Sequence, residues 1–208
     1  MEAIRRVFRT GIRRIAVVID RLSGGRAHPD AVTIIGCLAH VPVALLIATG
    51  SYIWAAVLLA VFGLFDTLDG QLAQVQKRES ARGMLLDSVT DRIKEVLLYT
   101  GAAYSIIATT GRPYLAVWAV AACGCSLLTS YINAQGDAVM LKTRAGKHDA
   151  NKTFRGGLLP FEIRMAVLII GLLSGRLTLA VIVIAVGAAF TALVRLGRVA
   201  GRLSDTHA

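Results

Sequence analysis

Charge is scarce in this chain. Only 17% of its 208 residues are charged, against 55% apolar, a balance that excludes an ordinary soluble domain and points to a membrane protein. Acidic residues are the scarcest, 13 against 23 Lys and Arg, which leaves a formal charge of +10. A nucleic-acid binder could carry that excess, but not several long apolar runs as well. The basic residues are expected instead in loops facing an anionic leaflet. Cysteine is limited to Cys37, Cys123 and Cys125, all inside apolar stretches and without metal-ligand spacing, so they read as small packing residues. Near the N-terminus no small-residue cleavage site follows a short apolar core, and no secretory signal peptide is expected. The chain shows no repeat, no low-complexity tract and no linker long enough to divide it.

What is present is a series of apolar segments at about 31–49, 52–68, 84–109, 113–135, 158–174 and 177–198, each near the roughly 20 residues that cross a bilayer. Gly50-Ser51, Thr110-Gly111-Arg112-Pro113 and Ser174-Gly175-Arg176 read as tight turns on one side. Longer polar stretches at 70–82 and 136–157 fall on the other, with both termini. That second side collects the arginines of residues 1–28, then Lys77, Arg78, Arg82, Lys142, Arg144, Lys147, Lys152, Arg155, Arg195, Arg198 and Arg202. The first side has Arg112 and Arg176. The positive-inside rule makes the basic side cytoplasmic. The expected fold is therefore an all-α membrane protein of six transmembrane helices, a single domain over 1–208 with both termini in the cytoplasm. Asn151-Lys152-Thr153 matches a glycosylation sequon, but a cytosolic loop gives it no role.

Ahead of the first span, residues 4–20 place Ile4, Val7, Phe8, Ile12, Ile15 and Val18 on one helical face. Arg5, Arg6, Arg9, Arg13 and Arg14 crowd the other side, the pattern of an amphipathic helix lying in the membrane interface.

Four aspartates stand at the cytoplasmic ends of the second and third spans. Asp66 and Asp69 are spaced i, i+3, and Asp87 and Asp91 i, i+4, so each pair shares one helical face. The short connection makes the two helices antiparallel neighbours, and the pairs can face each other. A charge near the hydrocarbon is costly, and four together demand compensation. Hard divalent cations prefer carboxylate oxygens and bring phosphorylated substrates, and two metals can serve the attacking and leaving oxygens together. Gly70, at the expected end of its helix, and Gly83 leave room for a ligand to approach the backbone. Asp91 could instead pair with Lys94 one turn on, and a transporter could use such acids for protons or cations.

The run Asp66-x2-Asp69-Gly70-x2-Ala73-Gln74-x8-Gly83-x3-Asp87-x3-Asp91 resembles the signature of the CDP-alcohol phosphotransferases at every fixed position but Gln74, where that family has arginine. The amphipathic first helix, the six spans and Pro29-Asp30-x2-Thr33 extend the resemblance along the chain. It implies transfer of a phosphatidyl-type group from CDP-diacylglycerol to a small alcohol, with release of CMP. It also implies two Mg²⁺ or Mn²⁺ ions on Asp66, Asp69, Asp87 and Asp91, the last also acting as the base for the acceptor hydroxyl. The nucleotide would be held by Thr33, Asp66, Asp69, Gly70, Ala73, Gln74, Gly83 and Asp87. A lipid bilayer, a CDP-lipid, an alcohol acceptor and a second copy of the chain are the implied partners. Gly171-x3-Gly175 gives a slight helix-packing hint of the dimer.

Within that family, Leu86-Asp87-Ser88-x2-Asp91-Arg92, Pro29-Asp30-x2-Thr33-Ile34-x-Gly36 and Ser130-Tyr131-Ile132 are most similar to the phosphatidylinositol-phosphate synthase branch. The implied acceptor is inositol phosphate, bound by Ser130, Asn133, Gln135, Arg164 and Arg195. Where that branch has a lysine and an arginine after Ser130-Tyr131-Ile132, this chain has Asn133 and Gln135. Glycerol 3-phosphate, an uncharged polyol or an amino alcohol are the alternative acceptors. The amides at 74, 133 and 135 also fit a non-catalytic nucleotide- or lipid-binding descendant. Against a transporter stands the absence of a long polar stripe through the remaining helices. His28, next to the implied nucleotide site, could contact substrate, but as a lone loop histidine it is expected to be solvated.

Overall fold

The computed structural model describes residues 2–63, 65–142 and 159–205, and the side chains of 11–63, 67–139 and 159–201. The described residues contain helices and no strand. We number them α1 (Glu2–Leu22), α2 (Pro29–Ala48), α3 (Tyr52–Phe62), α4 (Phe65–Gln76), α5 (Ala81–Thr110), α6 (Val117–Lys142, preceded by a 3₁₀ turn Pro113–Ala116), α7 (Phe161–Leu173) and α8 (Leu177–Asp205). They form two compact units, Met1–Leu98 and Tyr99–Ala208.

In the first unit, α2 begins with Pro29 in its first turn, where the missing N–H costs nothing, and Asp30 beside it suits the helix dipole. Gly50 closes α2 at φ +79°, and Ser51 N–H donates to Leu46 O at 2.9 Å, a Schellman turn that a left-handed glycine makes readily. α4 carries the aspartate motif onward to Gln76. The expected helix end at Gly70 is thus corrected: Gly70 lies mid-helix, and a Cβ added there would meet nothing within 4 Å. No proline lies between Gly70 and Gln76 to stop the helix. It ends at Lys77, which takes a left-handed φ of 53° while Arg78 N–H donates to Ala73 O at 2.9 Å. Ser80 then caps α5, its hydroxyl accepting from Gly83 N–H at 3.0 Å. Within this unit α4 packs on α1 and α2, and α2 on α3.

On α1, Ile12 and Ala16 are buried, Arg13 and Arg14 are exposed, and so are Ile15, Val18 and Leu22. The apolar residues therefore serve two surfaces, one inward and one outward. Ile4, Arg5, Arg6, Val7, Phe8 and Arg9 have side chains outside the described set.

In the second unit α6 and α7 both pack on α8. Gly175 turns the chain at φ +66° with Arg176 N–H on Gly171 O at 2.8 Å. Gly171 itself lies so close to Ala180 that a larger side chain would collide with it. The expected Gly111 turn is also present, at φ +62°. Thr129 donates to Cys125 O at 2.8 Å and its hydroxyl also lies 3.2 Å from Ala188 O on α8, while Leu159 N–H donates to Thr191 Oγ1 at 3.1 Å.

Among the described residues four stretches are long and apolar enough to cross a membrane: Pro29–Ala48, Tyr52–Gln76, Pro113–Val139 and Leu177–Gly201. Their outward faces carry large apolar side chains such as Leu38, Leu45, Trp54, Val120, Val186 and Leu193. Apolar residues on every side of a helix suit lipid, not water. Cys37 is buried, Cys123 and Cys125 are half-buried, and none of the three forms a disulfide. The sequon at Asn151 lies outside the described residues.

Candidate active site

The first unit gathers most of the predicted acidic residues around the start of α2, the middle of α4 and the first half of α5. Asp69 is buried, 5% exposed. Its Oδ2 accepts from Thr33 Oγ1 at 2.6 Å, and its Oδ1 from Gly70 N–H at 2.6 Å. Thr33 is itself buried and one helical turn from Pro29, whose carbonyl lies 3.2 Å from the same hydroxyl. The shorter contact takes the proton, so Thr33 orients Asp69.

Asp87, half-buried on α5, stands near enough to Asp69 for the two charges to repel. Asp91, one turn further, is paired: Lys94 Nζ lies 3.1 Å from its Oδ1 and Arg92 Nη2 3.5 Å from its Oδ2. The alternative partner foreseen for Asp91 is therefore in place. Asp66 lies on α4, but its side chain falls outside the described set. Among the described side chains no three of His, Cys, Asp and Glu converge closely enough to hold an ion. The chemistry of the donor set nevertheless suits a hard divalent cation. It offers carboxylate oxygens in a buried setting, with like charges facing each other.

Around this core, Cys37 Sγ reaches Thr90 O at 3.9 Å and ties α2 to α5. His40, 3% exposed, donates from Nδ1 to Gly36 O at 2.7 Å. Sequence reasoning passed over Glu95, which is fully buried with Arg92 Nε 3.8 Å from its Oε2, and weighed Lys94 only as a possible mate for Asp91. The available signal was a run of charges interrupting an apolar helix.

The cation missing at position 74 has three neighbours in sequence. Gln74 is exposed and accepts from Gln71 Nε2 at 3.3 Å. Arg78 turns toward Gly25 O at 3.4 Å, and Lys77 caps α4. Arg82 Nε lies 3.6 Å from Asp30 Oδ2, at the start of α2 and one turn before Thr33, though its side chain is 86% exposed. Gly83 neighbours the same carboxylate: a Cβ added there would stand 3.6 Å from Asp30 Oδ1. Ala73 is half-buried on α4. His28 is 58% exposed, as expected, with Asp30 3.9 Å away.

In the second unit, Arg164 is 2% exposed on a helix of apolar neighbours. Its Nη1 donates to Leu159 O at 3.0 Å and its guanidinium sits 5.9 Å from the Phe161 ring centroid. Arg195, also buried, is close enough to Arg164 and Arg198 for the charges to repel, while Glu162 attracts it. Ser130 Oγ donates to Ser126 O at 3.2 Å. Asn133 Oδ1 is buried with no hydrogen-bond partner among the described residues, whereas Gln135 is exposed.

The motif, the helical fold and the paired carboxylates belong together in one class. The sequence pattern of the CDP-alcohol phosphatidyltransferases matches residues 26–194, and the chain belongs to that family. It is 32% identical over 149 residues to the phosphatidylinositol phosphate synthase of Corynebacterium glutamicum, a match covering 71% of this chain and 63% of that enzyme. The chain thus spans somewhat less than two thirds of that relative. The crystal structure of the Mycobacterium tuberculosis phosphatidylinositol phosphate synthase with CDP-DAG bound superposes with a TM-score of 0.77 at 26% identity, covering 90% of this chain and 92% of that one. The same enzyme in complex with manganese and citrate gives 0.76 at 27% identity, over 90% and 88%.

Proposed function

We propose that this chain transfers a phosphatidyl group from CDP-diacylglycerol to the hydroxyl of inositol phosphate and releases CMP. The observation that carries this is buried Asp69, held by Thr33 and facing Asp87, with Asp91 one turn away, inside the family's signature. Asp66, Asp69, Asp87 and Asp91 would hold the Mg²⁺ or Mn²⁺ ions, which would supply charge stabilisation for the diphosphate. Asp91 takes the proton of the acceptor hydroxyl, whose oxygen forms the new bond to the lipid-side phosphorus. The bond from that phosphorus to the bridging oxygen breaks, and CMP leaves with the electron pair. Thr33 fixes the rotamer of Asp69; Gly70, Ala73, Gln74 and Gly83 border the nucleotide.

Arg164 and Arg195, with Ser130, Asn133 and Gln135, bind the acceptor. Two guanidiniums close enough to repel favour a dianionic phosphate there. Glycerol 3-phosphate has the same charged group and is the next acceptor. The exposed Gln135 and the amide at 133 keep an uncharged polyol or amino alcohol behind it.

We place the active site and both termini on the cytoplasmic side of a chain that crosses the membrane six times as one domain and pairs with a second copy. In support, α5 has 30 residues, about 45 Å of helix and ample for a bilayer. α1 carries exposed Ile15, Val18 and Leu22 beside its arginines, as an interfacial helix does. The test is a screen of acceptors with purified protein, CDP-diacylglycerol and Mn²⁺ or Mg²⁺, following CMP. Activity is expected to be highest with inositol phosphate. A protein that releases no CMP with any acceptor, beside a working control enzyme, is instead a non-catalytic descendant.

A further inference from the structure

We infer that Lys94 is a resident counter-cation of the carboxylate site, holding Asp91 in the metal-free protein and competing with a divalent ion there. This rests on the proposed metal-dependent transferase. A lysine on a membrane helix ordinarily extends its stem so that the ammonium reaches water. Lys94 does the reverse: it is 1% exposed, and its Nζ lies 3.1 Å from Asp91 Oδ1. Its charge also acts on Asp69 and on His40. Burying an ammonium is costly unless opposite charge surrounds it, and Asp91 and Asp69, on which this one acts, both belong to the signature motif. Arg92 adds a second positive charge to this stretch, 3.5 Å from Asp91 and 3.8 Å from Glu95.

Two consequences follow from the signs of the charges. Without metal, Lys94 offsets part of the repulsion among the aspartates and so steadies the site. With metal, the ammonium repels the ion and shares one of its ligands, so binding is weaker than the carboxylates alone would give. Lys94 is on this account a positioning residue that sets how much metal the site requires.

The probe is Mn²⁺ alone, added to the full chain in detergent micelles. Free Mn²⁺ is read by electron paramagnetic resonance, and thermal unfolding is followed with and without the ion. Replacing the ammonium by a neutral group, in Lys94→Gln and Lys94→Met, should tighten Mn²⁺ binding at least about tenfold, given the strength of charge repulsion at such range. The metal-free variants should melt earlier, and Mn²⁺ should raise their melting point more than that of the wild type. Lys94→Arg keeps the charge and should bind Mn²⁺ as the wild type does. Unchanged affinity in both neutral variants overturns the inference while leaving the metal site intact. So does equal tightening in Lys94→Arg. Neutral variants that stay unfolded even with Mn²⁺, beside a folded Lys94→Arg, overturn it too, because the ion must be able to take over from Lys94. A folded wild type that binds no Mn²⁺ removes the metal site itself.

Discussion

Along the first half of α5, buried charges meet half-buried partners of opposite sign: Lys94 against Asp91 at 3.1 Å, Glu95 against Arg92 at 3.8 Å. In the second unit the buried pair is alike, Arg164 beside Arg195, with Glu162 exposed nearby. Both arrangements place costly groups in an apolar setting. The first balances its own charge and needs an ion mainly for chemistry. The second concentrates positive charge, which is favourable when an anion arrives to share it. A family that joins a nucleotide-activated lipid to a polar alcohol needs both kinds of place.

Mutations can break or sharpen that contrast. Of the four substitutions that probe it here, the largest effect is expected for Asp69→Asn, which removes the buried carboxylate that Thr33 orients. CMP release should fall by about a hundredfold or more, the range over which electrostatic stabilisation of a transition state acts. Next is Arg164→Ala in the second unit. The Michaelis constant for inositol phosphate should rise about tenfold to a hundredfold, the ~1.5–3 kcal/mol of a charge-assisted hydrogen bond, while that for CDP-diacylglycerol holds. An equal rise in both constants would mean that Arg164 has only a packing role. Thr33→Val should cost about 1 kcal/mol, the net worth of one hydrogen bond, seen as an earlier melting point and a severalfold weaker grip on the CDP-lipid. Smallest is Gln74→Arg, which restores the family's cation on an exposed face. It should lower the Michaelis constant for the CDP-lipid by no more than about fivefold, since exposed charge pairs contribute up to ~1 kcal/mol.

The sequence carried much of this. The glycine turns at Gly50, Gly111 and Gly175 and the aspartate spacing were all legible, because each depends on residues near one another in the chain. The course of α4 beyond Gly70 was less so. A polar stretch reads as a connection, yet nothing in it breaks a helix before Lys77 caps the end. The burial of Lys94 and Glu95 was not legible either. Helical spacing says which residues share a face, but whether that face meets lipid, water or protein depends on what the rest of the chain packs beside it. The burial of Asn133 Oδ1, without a partner among the described residues, is likewise a property of neighbours that are distant in the chain.

The central claim is that the aspartates of α4 and α5 perform a metal-dependent phosphatidyl transfer. It is tested most directly by counting products in one tube: CDP-diacylglycerol, inositol phosphate and Mn²⁺ with the wild type, the chelated wild type and Asp91→Asn. The account predicts CMP and phosphatidylinositol phosphate in equal amounts from the wild type, none after chelation, and a rate about 10²–10⁴-fold lower from the variant, as loss of a general base gives. Equal CMP release from Asp91→Asn and wild type, or release that survives chelation, would contradict it.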